Sequence, residues 1–171
     1  MIEGCKRRQR NAQRALYDRY APRMFGVCRR YVKDYETAED LLVSGMYKAM
    51  DRIGSYQGAG SFEGWLRRVM VNECLMHLRK RKPYELSLDD EDTYYQPEDA
   101  PTVMQQLLVE DLKALIDEMP IGYRTVFNLY VMEGYKHREI ADLLGISINT
   151  SKSQLILARK KMQELVAQRL A

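Results

Sequence analysis

Residues 137–161 read HREIADLLGISINTSKSQLILARKK, and this stretch predicts a helix, a sharp turn and a second, basic helix. Ile140 and Leu144 recur at helical spacing, and Gly145 follows where helices commonly end in a left-handed residue. Ser147 can then cap the next helix through its hydroxyl. This order is typical of a DNA-reading helix-turn-helix, although an ordinary surface helix of a bundle would also suit these residues.

A helical wheel that starts at Asn149 divides the second helix into two faces. The face predicted to pack carries Ser151, Leu155, Ala158, Met162 and Leu165. The face predicted to point outward carries Asn149, Lys152, Ser153, Ile156 and Lys160 and is cationic enough to enter a major groove. Ile156 and Leu157, near the edge of that outward face, could contact a thymine methyl group or pack on protein.

The charge of the chain is segregated. Over 171 residues the net charge is only +3, with 46% hydrophobic and 30% charged residues, which is ordinary for a soluble globular protein. Basic residues crowd into 6–33, 67–82 and 152–161, whereas 85–99 holds seven acids and no base. Basic blocks on either side of an acidic one predict two surfaces that face a polyanion.

Several classes of protein are disfavoured by composition. Cys5, Cys28 and Cys74 are odd in number and lack CxxC spacing, which predicts neither disulfides nor a zinc cluster and indicates a reducing, cytoplasmic location. His77 and His137 are isolated in sequence and are expected at the surface, so no metal or cofactor is predicted. No apolar run is long enough to span a membrane, so no membrane insertion is predicted. No catalytic motif is recognised, so the chain is predicted not to be an enzyme.

The predicted fold class is all-α, because neither half of the chain alternates β-branched and polar residues as strands do. Residues 83–102, PYELSLDDEDTYYQPEDAPT, are acidic and proline-rich and indicate a linker. We predict a helical domain over 1–83, an acidic linker over 84–105 and a four-helix domain with the helix-turn-helix over 106–171.

Local signals predict where the individual helices begin and end. Pro22 is expected to open a second helix after a first that ends at Tyr20. Thr37 and Ser61 are expected to cap the two helices that follow. The expected helices cover 8–20, 22–32, 37–53, 62–82, 103–119 and 122–133, with Val126, Phe127, Tyr130 and Val131 on the buried side of the last.

The helix after Ser61 predicts a second nucleic-acid surface. One stripe of its wheel carries Trp65, Arg68, Asn72, Leu75 and Arg79, and the chain continues into Lys80, Arg81 and Lys82. An aromatic ring beside cations and an amide suits stacking on an exposed base while phosphates are held nearby. The alternative is a core tryptophan with a solvated basic face.

The helix from Thr37 to Ile53 combines carboxylates with apolar residues and few cations, which suits docking on a protein better than on DNA. It could equally be an amphipathic core helix with capping acids. Gly45 inside it costs about 1 kcal/mol relative to alanine, which close packing or the close approach of a partner would explain.

Segments on both sides of the linker follow one another in a characteristic order. They are LYDRYAPRMFGVCRRY, AEDLL, GSFEGWLRRVMVNECLMHLRKRK, the acidic stretch and MPIGYRTVFNLYVMEGYKHREIADLLGISINTSKSQL. This order, from about Leu16 to Leu165, resembles the bacterial RNA polymerase sigma factors of the extracytoplasmic-function group. The resemblance implies a first domain that binds the polymerase clamp and melts a −10-like element, and a second that reads a −35-like element and touches the polymerase flap.

The resemblance also assigns residues and partners. It implies polymerase binding by Asp40, Leu41, Ser44, Tyr47 and Lys48. It implies downstream-element binding and melting by Trp65, Arg68, Asn72, Arg79, Lys80, Arg81 and Lys82. It implies upstream-element binding by Asn149, Thr150, Lys152, Ser153 and Gln154. The helical wheel adds Lys160, which lies on the same outward face. The partners would be double- and single-stranded promoter DNA, core RNA polymerase and an anti-sigma factor.

Some residues depart from the pattern of that family. Val43 and Ser44 replace a polar pair in the acidic helix, Ser151 occupies a packing position, and Gln154 replaces an arginine. Two other classes of function remain open: a stand-alone helix-turn-helix regulator that dimerises through its first domain, and a sigma-like decoy that sequesters an anti-sigma factor. If the chain were a stand-alone regulator, Trp65 and the basic residues 79–82 would have no role.

Overall fold

The computed structural model describes the backbone of residues 1–81 and 109–170 and the side chains of residues 1–80 and 114–169. All regular elements in these ranges are helical, which confirms the all-α prediction. The chain divides into two compact units, Met1–Leu78 and Arg79–Ala171. The predicted linker, 84–105, lies outside the described residues, and the predicted domain boundaries stay predictions.

The first part of the chain contains four α-helices and one short 3-10 turn. They are α1 (Ile2–Lys6), α2 (Arg10–Tyr31), α3 (Tyr35–Asp51), the 3-10 turn (Ile53–Ser55) and α4 (Phe62–Arg81). The second part contains α5 (Val109–Glu118), α6 (Ile121–Phe127), a π-helical turn (Asn128–Met132), α7 (His137–Leu144) and α8 (Ile148–Leu170). With the π turn counted as the end of α6, the second part is the four-helix arrangement that was predicted.

Helix α2 runs through Pro22, so the predicted break there is wrong. A proline inside a helix costs about 3 kcal/mol. Leu16, Tyr20, Met24 and Tyr31 are buried along one side of the helix, before and after the proline. Each such side chain contributes about 1.5–3 kcal/mol when it is fully buried, so the continuous apolar face outweighs the proline.

Helix α3 begins earlier than predicted because Asp34, and not Thr37, caps it. The Asp34 carboxylate accepts hydrogen bonds from the Thr37 backbone N–H at 2.7 Å and from the Thr37 hydroxyl at 2.6 Å. A carboxylate satisfies an otherwise open N–H group and also suits the positive end of the helix dipole.

Gly45 lies where α3 packs closely on α4. A methyl group on Gly45 would lie 2.5 Å from Sδ of Met70. Packing within the unit therefore accounts for the glycine. The predicted cap of α4 is confirmed, because the Ser61 hydroxyl accepts a hydrogen bond from the Gly64 N–H at 3.0 Å.

The π turn after α6 changes which side chains face the core. The N–H of Glu133 donates to the carbonyl of Asn128 at 3.0 Å, a span one residue longer than in an α-helix. Leu129 is buried, and Tyr130 and Val131 are exposed. The prediction that Tyr130 and Val131 face the core is therefore wrong, because the wheel assumed an unbroken α-helix.

The helix-turn-helix corner has the predicted local geometry. Gly145 adopts φ 70° and ψ 34°, the left-handed conformation expected after α7. Its N–H and that of Ile146 donate to the carbonyl of Ala141 at 2.8 and 3.1 Å. The Ser147 hydroxyl accepts from the Thr150 N–H at 2.9 Å and caps α8. These bonds hold the turn between the two helices.

Candidate nucleic-acid interface

The outward face of α8 is polar and cationic. Asn149, Lys152 and Lys160 are exposed as predicted, and Ser153 and Ile156 are half-buried beside them. Arg159 is also exposed and is not among the residues predicted from the sequence. Its position seven residues after Lys152, two helical turns on, would have placed it on the same line of the wheel.

Two residues assigned to this face by family resemblance are instead buried. Thr150 is 7% exposed and Gln154 is 3% exposed, so neither contacts solvent as a DNA-reading side chain does. On the wheel they lie about 100° and 140° from Asn149, on the side of the packed residues. Ser151 is fully buried, as its packing position predicted.

His137, at the start of α7, lies against α8. Its Nδ1 is 2.9 Å from Oγ of Ser151, and its ring stacks on that of Tyr130 with the centroids 4.6 Å apart. Burial lowers the pKa of the imidazole, and the positive charges of Lys152 and Arg159 lower this pKa further. His137 is therefore half-buried at the edge of the surface that α8 forms.

The basic stripe of α4 is exposed over most of its predicted length. Arg68, Asn72, Arg79 and Lys80 are exposed. Leu75, which was placed on the same stripe, is buried. The side chain of Arg81 and all of Lys82 lie outside the described residues, so the end of this stripe stays a prediction.

Trp65 is half-buried at the edge of an aromatic cluster. Its ring centroid is 5.4 Å from that of Phe62 and 5.8 Å from that of Tyr56. Phe62 in turn contacts Tyr20 at 5.5 Å, and the Tyr56 hydroxyl donates to the carbonyl of Gly60 at 2.8 Å. The cluster holds the indole in place while part of it stays accessible, so the core and surface interpretations of Trp65 each hold in part.

The outward face of α3 carries Asp40, Val43 and Tyr47. Val43 is 58% exposed and Tyr47 is 71% exposed, and Val43 was missing from the predicted binding residues. Leu41, whose role in polymerase binding stays a prediction, is only 5% exposed in the free chain. It follows Asp40 directly and therefore points about 100° away from it, into the core.

Ser44 and Lys48 contact α4. Both bind the carboxylate of Glu73, the Ser44 hydroxyl at 2.7 Å and the Lys48 ammonium at 2.5 Å. Their polar groups tie α3 to α4 in the free chain. Of the predicted residues on α3, Asp40 and Tyr47 are thus the ones that lie open to a partner.

None of the described helices is long and apolar enough to cross a membrane. Among the described residues, no group of three or more His, Cys, Asp or Glu side chains is placed to hold a metal ion.

Both parts of the chain match known families. Residues 16–84 match sigma-70 region 2, and residues 110–162 match sigma-70 region 4. The RNA polymerase sigma-H factor of Pseudomonas aeruginosa is 25% identical over 96% of this chain and 91% of its own length. The ECF RNA polymerase sigma factor SigW of Bacillus subtilis is 27% identical over 95% of this chain and 93% of its own length.

A solved structure has the same fold. The sigma factor RpoE, in its complex with the anti-sigma factor NepR from Bartonella quintana, matches with a TM-score of 0.56 and 22% identity. The match covers 90% of this chain and 96% of that chain. Region 2 followed by region 4, with the helix-turn-helix in the second, defines a promoter-recognition factor. The chain belongs to the bacterial RNA polymerase sigma factors, in their extracytoplasmic-function group.

Proposed function

We propose that this sigma factor reads an upstream promoter element with α8, opens a downstream element with α4 and docks on core polymerase with the outward face of α3. The observation that carries the proposal is a pair of exposed basic helix faces, one in each region, each opposite a buried apolar face. A chain with two such surfaces can hold two separate stretches of one promoter.

On α8, Asn149 is the residue that we propose to meet a base edge, because an asparagine amide pairs with adenine in the major groove. Ile156 lies between Lys152 and Lys160 in position to contact a thymine methyl group. Lys152, Arg159 and Lys160 would neutralise phosphates, which orients the helix but carries no sequence information.

On α4, the partly accessible Trp65 would stack on a base that has left the duplex. Taking a base out of the stack costs a few kcal/mol, and stacking on an aromatic side chain returns about 1–3 kcal/mol per base. The amide of Asn72 could bind the edge of such a base, while Arg68, Arg79 and Lys80 hold the strand through its phosphates. Because the aromatic cluster already holds the indole in place, Trp65 can stack on the base without a rearrangement of the protein.

On α3, Asp40, Val43 and Tyr47 form a face with a carboxylate, an aliphatic group and an aromatic ring, a mixture common in protein interfaces. Ser44 and Lys48 support that face through Glu73 and are positioning residues in this proposal. An anti-sigma factor is a further proposed partner, supported by the NepR complex of the RpoE relative.

Run-off transcription with purified core polymerase over a genomic library tests the proposal. We expect transcripts from promoters that share two short elements, and none from core alone. Dimeric binding to a palindrome without polymerase would instead support the stand-alone regulator. Failure to bind either polymerase or DNA would support the decoy.

Trp65 provides the residue-level test. Trp65→Ala should reduce promoter opening, measured by permanganate reactivity of unpaired thymines, while core binding stays unchanged. Trp65→Phe is the matched control, since a smaller aromatic ring can keep both the cluster contacts and the stacking surface. Normal opening by a folded Trp65→Ala protein would refute the role of the indole.

A further inference from the structure

At the start of α7, His137 contacts α8 and lies within electrostatic range of two cationic residues of that helix. His137 Nδ1 lies 2.9 Å from Ser151 Oγ on α8, and Lys152 and Arg159 act electrostatically on the same imidazole. Lys152 and Arg159 belong to the exposed face of α8. His137 therefore borders the surface proposed to bind the upstream element, although the family resemblance did not assign it to that surface.

Several elements contribute the groups around His137. The π turn contributes the stacked ring of Tyr130, and α8 contributes Ser151, Lys152 and Arg159. Beside His137 in sequence lie Lys136, Arg138 and Glu139, and the Glu139 carboxylate accepts the Lys136 backbone N–H at 2.7 Å. The start of α7 adds the positive end of its helix dipole. Cationic groups thus predominate.

We propose that His137, Lys152 and Arg159 form one phosphate-binding cluster for the DNA backbone, in which the imidazole binds in its protonated form. The proposal rests on the proposed contact of α8 with the upstream element. It gives Ser151 a defined task, because its hydroxyl orients the ring. Arg159 and His137 would add two backbone contacts to those predicted from the sequence.

The phosphate reverses the electrostatic balance at His137. In the free chain, burial and two neighbouring cations oppose a charge on the ring and lower its pKa. A phosphate in the cluster brings negative charge and favours the imidazolium. Both ring nitrogens then donate, Nδ1–H to the Ser151 hydroxyl and Nε2–H to a phosphate oxygen. The proton is taken from the solvent, and no covalent bond forms.

The sign of the pH effect follows from this change. The free chain has a lowered pKa and the complex has a higher one, so binding takes up protons at pH values between the two. Affinity for DNA should therefore rise as the pH falls through that window. Each pKa unit between the two states corresponds to about a tenfold change in affinity.

NMR titration of the full chain can follow this proton. The chain has only two histidines, so His137→Asn and His77→Asn assign the two imidazole signals. The probe is a random-sequence duplex of about 20 base pairs at about 50 mM salt, conditions under which phosphate contacts dominate binding. We expect the duplex to raise the pKa of His137. Lys152→Ala should raise this pKa in the free chain, because it removes one opposing charge.

Affinity measurements complete the test. From about pH 8 to about pH 6 the wild type should bind the duplex about three- to tenfold more tightly. His137→Asn keeps a polar group for Ser151 and should lose most of this gain, while His77→Asn keeps it. Circular dichroism checks that each variant is folded. An unchanged pKa of His137 with duplex present, or a full pH effect in His137→Asn, would overturn the proposal.

The outcomes separate this cluster from the wider function. Run-off transcription together with an unchanged His137 pKa would reject the cluster and leave the promoter function standing. A raised pKa without run-off transcription would reject the promoter function and leave the phosphate cluster standing.

Discussion

Lys152 and Gln154 should respond in opposite ways to substitution by alanine, although both were first assigned to the DNA surface. Lys152 is exposed on the outward face of α8, whereas Gln154 is buried in the unit. Lys152→Ala should weaken upstream-element binding without lowering the free energy of unfolding. Gln154→Ala should destabilise the fold and leave the phosphate contacts in place.

The salt dependence gives the magnitude for Lys152. Each phosphate contact contributes about −0.9 to the slope of log K against log salt concentration, so one lost contact makes the slope shallower by about 0.9. When the salt concentration rises from about 50 to about 200 mM, the affinity of the wild type should fall by a factor about 3.5 times larger than that of the variant. Lys152→Ala combined with Arg159→Ala should change the slope by about 1.8.

Burial gives the magnitude for Gln154. Removal of this buried side chain leaves a cavity and removes its packing contacts, and we expect a loss of about 1–3 kcal/mol in the free energy of unfolding. Because its side chain does not reach solvent, the salt slope should match that of the wild type.

Fluorescence anisotropy of a labelled duplex over a salt series measures the slopes, and urea unfolding measures the stabilities. The binding series is run at about pH 8, where the imidazole of His137 is largely neutral and adds little to the slope. An unaltered slope in Lys152→Ala would refute the phosphate contact. A shallower slope in a stably folded Gln154→Ala protein would mean that α8 presents a different face to DNA.

Three further predictions concern the scaffold. Gly145→Ala should cost about 1–2 kcal/mol because alanine is strained at positive φ, and Gly145→Asn should cost less. Far-UV circular dichroism follows that unfolding, and the fluorescence of Trp65 in the other unit is an internal control. Equal stability of the two variants would contradict the strain. Asp34→Ala should lower the free energy of unfolding by about 1 kcal/mol, because α3 loses its cap. Urea unfolding followed by Trp65 fluorescence measures this change, and an unchanged stability would argue against the cap. Glu73→Gln should cost about 1 kcal/mol and weaken core binding in a pull-down, since Lys48 loses its charged partner. Unchanged core binding would mean that this link does not position α3.

Local signals in the sequence account for much of the fold. Gly145 and Ser147 define the turn through contacts within a few residues, so their chemistry is legible without knowledge of the rest of the chain. Ser61 caps α4 for the same reason. The outward positions of Asn149, Lys152 and Lys160 followed from helical periodicity alone, because one face of an amphipathic helix must meet solvent.

Burial differs from the assignments that were transferred by position from the family resemblance. Leu41, Thr150 and Gln154 were assigned to binding surfaces by family resemblance, and all three are buried. The periodicity of α8 itself had left Thr150 and Gln154 off the outward face. For Thr150 and Gln154, the helical wheel of α8 agrees with the structure better than the family resemblance does, because burial depends on the direction of a side chain.

By itself the sequence determined the all-helical class, the helix-turn-helix corner at Gly145 and the basic faces of α4 and α8. These depend on backbone propensity, capping and periodicity, which act over one or two helical turns. Only the tertiary structure decided that α2 continues through Pro22 and that Glu73 joins Ser44 to Lys48. It also decided that His137 contacts Ser151 and lies within electrostatic range of Lys152 and Arg159. These features depend on residues distant in sequence, and packing between helices brings such residues together.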